Sequence, residues 1–214
     1  MVMNSTSAGP GLFAALRGFV RKRAAKERCE LCAAALPPEH RHLVEPDTRR
    51  LVCACRACAL LFDGRSEGRY RAVPERIQLL EDFRLTDATW DELHVPINLA
   101  FLFRSTPAKR VIAIYPSPAG ATESLLPLEA WRDLEADNPV LAEFEPDVEA
   151  LLVNRVGSVR DHYRVPIDEC YKLVGLLRTH WRGLSGGTQV WQAIAAFFAD
   201  LRNRSQNNNR VCNA

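Results

Sequence analysis

Cys29-Glu30-Leu31-Cys32 and Cys55-Arg56-Ala57-Cys58 are two C-x-x-C pairs separated by 22 residues, and they constrain this chain more than any other feature. A C-x-x-C pair turns tightly and aims two sulfurs at one point. A second pair at this distance lets the intervening segment fold back and complete a tetrahedron of thiolates. The spacing therefore predicts a closed metal site with ligands Cys29, Cys32, Cys55 and Cys58. Cys53 lies just outside the second pair and is an alternative ligand, as are His40 and His42. Tetrahedral sulfur suits either zinc or iron. The second knuckle lacks the Pro and Gly that rubredoxins carry there, which favours zinc with iron as the alternative.

The seven cysteines are odd in number and clustered, which argues against a disulfide scaffold and for the reducing cytoplasm. A spare thiol beside such a site also suggests redox or metal-transfer chemistry at Cys53. Arg49, Arg50 and Arg56 are expected to lower its pKa. The bland reading of Cys53 is a strand cysteine packed inward. Cys170 reads as core.

Outside the cysteines, the composition is that of an ordinary globular protein, 47% apolar and 25% charged. Residues 1–60 carry ten basic against five acidic side chains, whereas the remainder is mildly acidic. Residues 1–26 read as a polar start followed by a basic amphipathic helix. Arg17, Arg21, Lys22 and Arg23 on that helix are candidate partner-binding residues. The absence of any aromatic residue between Val20 and Leu61 argues against nucleic-acid binding. No apolar run is long enough to span a bilayer.

The pattern divides the chain into 1–26, a cysteine module at 27–68, an α+β domain at 69–204 and a frayed tail at 205–214. Short strands at His42–Glu45 and Leu51–Cys53 flank a Pro46-Asp47-Thr48 turn, giving a zinc-ribbon or treble-clef layout. Asn98–Arg104 with Arg110–Tyr115, and Val148–Val156 with His162–Val165, form two hairpins. Helical signals at Leu128–Asp137, Pro139–Phe144, Asp168–Trp181 and Thr188–Arg204 complete an antiparallel sheet with helices on one face. Thr86 is positioned as a helix N-cap.

Enzyme signatures are missing: there is no H-E-x-x-H, G-x-S-x-G, Walker A or G-x-G-x-x-G pattern. The polar stretch Tyr115–Ser124 reads as a loop after a strand, more simply a structural turn than an anion site, which would need a helix starting near Glu123. Arg182, in the glycine-containing loop Trp181–Gly187, is a further candidate contact for a partner.

The chain resembles an uncharacterised, mainly actinobacterial family encoded beside high-affinity nickel–iron hydrogenase genes. The resemblance rests on Cys29–Cys32, Pro38–Glu45, Cys53–Gly64, Phe83–Thr86, Tyr115–Leu126, Glu149–Arg155 and Trp181–Gly187. It implies an accessory role in hydrogenase assembly, electron-transfer wiring or maturation. A non-catalytic accessory or docking protein, with hydrogenase subunits or maturation factors as partners, is the expectation taken from it. It carries over no catalytic residues.

Overall fold

The computed structural model describes residues 27–63, 68–183 and 186–212. The cysteine module is built on a three-stranded antiparallel sheet. Its strands are β1 (Arg41–Glu45), β2 (Arg50–Ala54) and β3 (Arg71–Ala72), ordered β2-β1-β3. The turn at 46–49 closes the β1–β2 hairpin at the place its Pro-Asp signal indicates. Helix α1 (Arg56–Leu61) follows β2 directly.

A six-stranded sheet forms the larger part, ordered β4-β9-β8-β5-β6-β7 and antiparallel throughout. Its strands are β4 (Gln78–Leu79), β5 (Leu99–Ser105), β6 (Arg110–Ser117), β7 (Gly120–Ser124), β8 (Glu149–Asn154) and β9 (Asp161–Pro166). The helices are α2 (Asp87–Glu92), α3 (Leu128–Asp137) with a 3-10 turn after it (Pro139–Glu143), α4 (Ile167–His180) and α5 (Gly187–Cys212). Thr86 caps α2 as its position predicts, accepting the Thr89 N–H at 3.1 Å.

The α+β class holds, and the two long helices α4 and α5 do share one face. They cover Leu99, Phe101, Phe103, Ala150, Leu152 and Val165. The opposite face is not bare, however. Trp90 of α2 and Trp131 and Leu134 of α3 cover Ala100, Leu102, Leu151 and Val153. Alternate residues of β5 and β8 therefore enter different cores, and β8 is buried at every position. At one end of the sheet Arg164 and Glu149 are both nearly sealed from solvent and paired through two hydrogen bonds of 2.9 and 2.5 Å.

Two segments depart from the sequence expectation. Tyr115–Ser124 holds the expected turn but no helix start near Glu123, and most of it is strand: the end of β6, the turn, and all of β7. Helix α5 does not stop at Arg204 but continues through Ser205 to Cys212, where the sequence reading places a frayed tail.

The module packs against the sheet. Val44 of β1 joins the large core beneath α4. Arg49 meets Glu123 of β7 at 2.9 Å, and Arg71 donates to the Pro146 carbonyl at 2.5 Å. His42 meets Asp168 in the first turn of α4 at 2.9 Å.

Candidate metal centre

The first knuckle is shaped by its backbone. The Cys29 N–H donates to the Ala34 carbonyl and the Ala33 N–H to the Cys29 carbonyl, both at 2.8 Å. This geometry puts Ala33 at φ 62°, in the left-handed region that disfavours a Cβ. Glu30 ties the knuckle to β2 in both directions. Its N–H donates to the Cys53 carbonyl at 2.9 Å, and its carboxylate accepts the Cys53 N–H at 2.8 Å.

The second knuckle is the start of α1. Cys55 is the N-cap, and its sulfur accepts the Cys58 N–H at 3.4 Å. Folding β1 back on β2 brings this helix start to the first turn. The ligand atoms of Cys29, Cys32, Cys55 and Cys58 then all lie within 4.8 Å of one another. Cys32 Sγ and Cys55 Sγ are 3.7 Å apart. Four sulfurs bound at about 2.3 Å define a tetrahedron with an edge of about 3.8 Å, so this pair already stands at ligand spacing. Cys29 and Cys58 are buried against Leu36, Leu43, Val52 and Ala54, while Cys32 is exposed.

Charge explains why such a cluster favours a cation. Burial pushes the Cys29 thiol up, but hydrogen bonds from the backbones of Cys55, Leu31 and Cys32 outweigh it and bring the pKa down to about 6. Burial pushes Cys58 the other way, up to about 12, and the neighbouring thiols add to it. The Ala34 backbone favours a Cys32 thiolate, yet the combined pull of its neighbours leaves that thiol raised. One thiolate forms readily and the next meets its charge. A bound cation removes that repulsion, so the four cysteines could hold a metal ion.

The alternative ligands stand elsewhere. His40, His42 and Cys53 do not enter the thiolate set; they form a group of their own, with ligand atoms also within 4.8 Å of one another. The expected lowering of the Cys53 pKa is overturned. Burial pushes this thiol up, and Glu30, Glu27 and Cys29 add to the rise. The arginines act elsewhere: Arg50 pairs with Glu30 at 2.9 Å and Arg49 with Glu123. Cys170 is fully buried in α4, with its thiol pushed well above the usual range by burial.

Arg17, Arg21, Lys22 and Arg23 lie outside the described residues. Arg182 is exposed beside α5, with its guanidinium donating to the Trp181 carbonyl at 2.8 Å. The Tyr115–Ser124 segment offers no helix start for an anion, and Glu123 there is engaged by Arg49 and Arg110. A cleft of about 380 Å³ lies instead where β5 turns into β6, lined by Arg104, Lys109, Arg110, Trp131, Arg132 and Glu135. Sequence reasoning missed this cleft, and it missed the contact of His42 with Asp168, because neither leaves a local signal.

A knuckle, a hairpin and a helix that converge on four thiols, set on the flank of an antiparallel sheet, define a two-part α+β protein with a zinc-ribbon-like module. The chain belongs to DUF5947, a family of unknown function, whose model matches residues 28–205. No curated protein and no solved structure matches it. Among the described residues no helix is long and apolar enough to cross a membrane.

Proposed function

We propose that this protein is a non-catalytic accessory or docking protein, working in the cytoplasm, for the assembly or maturation of a nickel–iron hydrogenase. Its four thiolates hold zinc in a closed structural site. Cys29, Cys32, Cys55 and Cys58 are the ligands, and zinc supplies a rigid cross-link between the two knuckles.

The observation that carries a docking role is on the helix those ligands anchor. Leu60, Leu61 and Phe62 are consecutive and exposed, Leu60 at 74% and Leu61 at 76%. Large apolar side chains held outward on a rigid element are typical of a protein-contact surface. The hydrogenase context comes from the sequence resemblance, and Arg182 with the basic residues Arg17, Arg21, Lys22 and Arg23 are candidate rim contacts.

The test is affinity purification of the tagged full chain from its native host, beside a Leu60→Glu/Leu61→Glu variant. The reading predicts hydrogenase subunits or maturation factors in the first sample and their loss in the second. Their absence from the first, or equal recovery in both, contradicts it. A visible spectrum separates zinc from iron, since iron–thiolate protein is coloured and zinc–thiolate protein is not.

A further inference from the structure

His42 and Cys53 are direct partners across the β1–β2 hairpin, so their side chains emerge on the same face of the ribbon. His40 lies two residues before His42, and its ring centroid is 4.8 Å from that of His42. The three ligand atoms gather within 4.8 Å, on residues distinct from the four cysteines of the first cluster.

The surroundings of the two imidazoles are those of metal ligands. His40 Nδ1 stands 3.0 Å from the Pro37 carbonyl oxygen, with Glu27 farther away at 3.6 Å. A carbonyl only accepts, so Nδ1 carries the proton and the lone pair of the neutral ring sits on Nε2. His42 Nδ1 stands 2.9 Å from Asp168 Oδ2, with the same consequence. A backbone carbonyl on one ring and a carboxylate on the other are the acceptors that orient metal-bound histidines. The His40 side chain is only 6% exposed, and its Nε2 is buried with no hydrogen-bond partner. A buried acceptor left unpaired is costly, and a cation at the centre of the group gives this nitrogen the partner it lacks.

We propose that His40, His42 and Cys53 form a second metal site, binding a divalent first-row cation of the zinc and cobalt class through two imidazole nitrogens and one thiolate. This site is independent of the docking role proposed above. Three protein ligands leave one coordination position open, the feature that separates exchangeable or reactive sites from closed structural ones. The His42 side chain, at 26% exposed, leaves the group accessible from solvent. Two nitrogens with one sulfur suit zinc, cobalt, nickel or copper better than the hard cations magnesium and calcium. The Asp168 contact ties the site to α4, so occupancy strengthens the link between the module and the sheet.

The experiment counts metal on the full chain. Protein carrying one zinc per chain is titrated with Co²⁺ and analysed by native mass spectrometry and visible absorption. The expected result is a second metal per chain, with sulfur-to-cobalt charge transfer that Cys53→Ser removes. His40→Ala should abolish the second equivalent. Asp168→Asn should weaken it about 10- to 100-fold, as loss of a carboxylate behind a ligating histidine does. A total that stays at one metal per chain in the unmutated protein overturns the proposal, whatever the variants do. So does a second equivalent that survives both Cys53→Ser and His40→Ala in protein that keeps its first zinc and its native circular dichroism.

Discussion

Around the thiolate cluster the buried apolar residues are Leu36, Leu43, Val52, Ala54 and Ala59, with Cys29 and Cys58 among them. Around β5 and β8 they form two cores, one on each face of the sheet, with Phe101, Leu102, Leu151, Leu152, Trp90, Trp131 and Phe197 among their members. The first set is too small to hold a chain segment by its own burial alone, because pieces of about 40 residues or fewer usually need a disulfide, a metal or a partner. The second is an ordinary protein interior. On the proposed metal reading, one chain thus joins a region held mainly by ligand bonds to a region held by packing. The two should fail under different insults.

Metal removal should separate them most sharply. Structural zinc sites contribute roughly 10–16 kcal/mol of apparent binding energy at neutral pH, which is far beyond what the module core can replace. Strong chelation, or Cys58→Ser, should abolish amide-exchange protection in β1, β2 and α1 while leaving β5, β6, β8 and β9 protected. Simultaneous loss in both regions would show that the module is a buttress the sheet needs.

The next effect belongs to the packed region. Glu149 and Arg164 are 1% and 2% exposed by side chain, with Arg76 and the Glu145 N–H also on the carboxylate. Burial pushes the Glu149 pKa up, but Arg164, Glu145 and Arg76 outweigh it and hold it below the ordinary range. Glu149→Leu leaves Arg164 buried without its main partner, with only the Glu143 carbonyl at 2.7 Å and the Glu143 carboxylate at 3.5 Å remaining, and should cost about 3–5 kcal/mol in denaturant unfolding. Metal affinity should not change. A loss below 1 kcal/mol would mean that solvent reaches the pair.

Acid should act on the same region through His162. Burial is the main cause that lowers its pKa to about 4 from an ordinary 6.5, helped by Arg155. The unfolded chain takes up this proton near pH 6.5 and the folded chain only near 4. The neutral ring therefore contributes stability above pH 6.5 that is lost as pH falls toward 4, about 3 kcal/mol in all by proton linkage. His162→Phe, which also removes a buried nitrogen without a hydrogen-bond partner, should flatten stability between pH 6.5 and 4. An unchanged slope would place the acid sensitivity elsewhere.

The smallest change sharpens the other side of the comparison. Ala33→Gly relieves a left-handed residue at the first knuckle, and the greater freedom of glycine in the unfolded chain offsets part of the gain. Thermal melts of the module should rise by no more than about 1 kcal/mol equivalent, without effect on the sheet. A fall would mean that the Ala33 methyl makes a contact worth more than the strain.

The same contrast governs what the sequence revealed. The clustering of the four thiols was legible because C-x-x-C is a local signal, and the hairpin between them because Pro46-Asp47 is another. Strands β5 and β6 were legible as apolar runs, and β8 and β9 as a pair around the Gly157-Ser158 turn. Strand β7 was not, because Pro116 and Pro118 read as breakers. Pro116 is tolerated because β5 pairs with β6 only as far as Ile114, so beyond it β6 faces β7 alone and a missing N–H does little harm. The pairing of Arg164 with Glu149 leaves no local signal in the sequence. Only tertiary structure brings in Phe144, whose ring lies 4.8 Å from the Arg164 guanidinium, and the Glu143 carbonyl that Arg164 also reaches. His40, His42 and Cys53 were visible as ligand types, but their separation from the thiolate set depends on strand register and on Asp168, far along the chain.

The most direct test of the metal-held module is X-ray absorption at the metal edge, using His40→Ala protein so that only the four-cysteine cluster loads. The account predicts a single shell of four sulfurs at about 2.3 Å. A shell made up mainly of nitrogen and oxygen, or a metal-free sample in which β1, β2 and α1 stay fully protected from exchange, would contradict it.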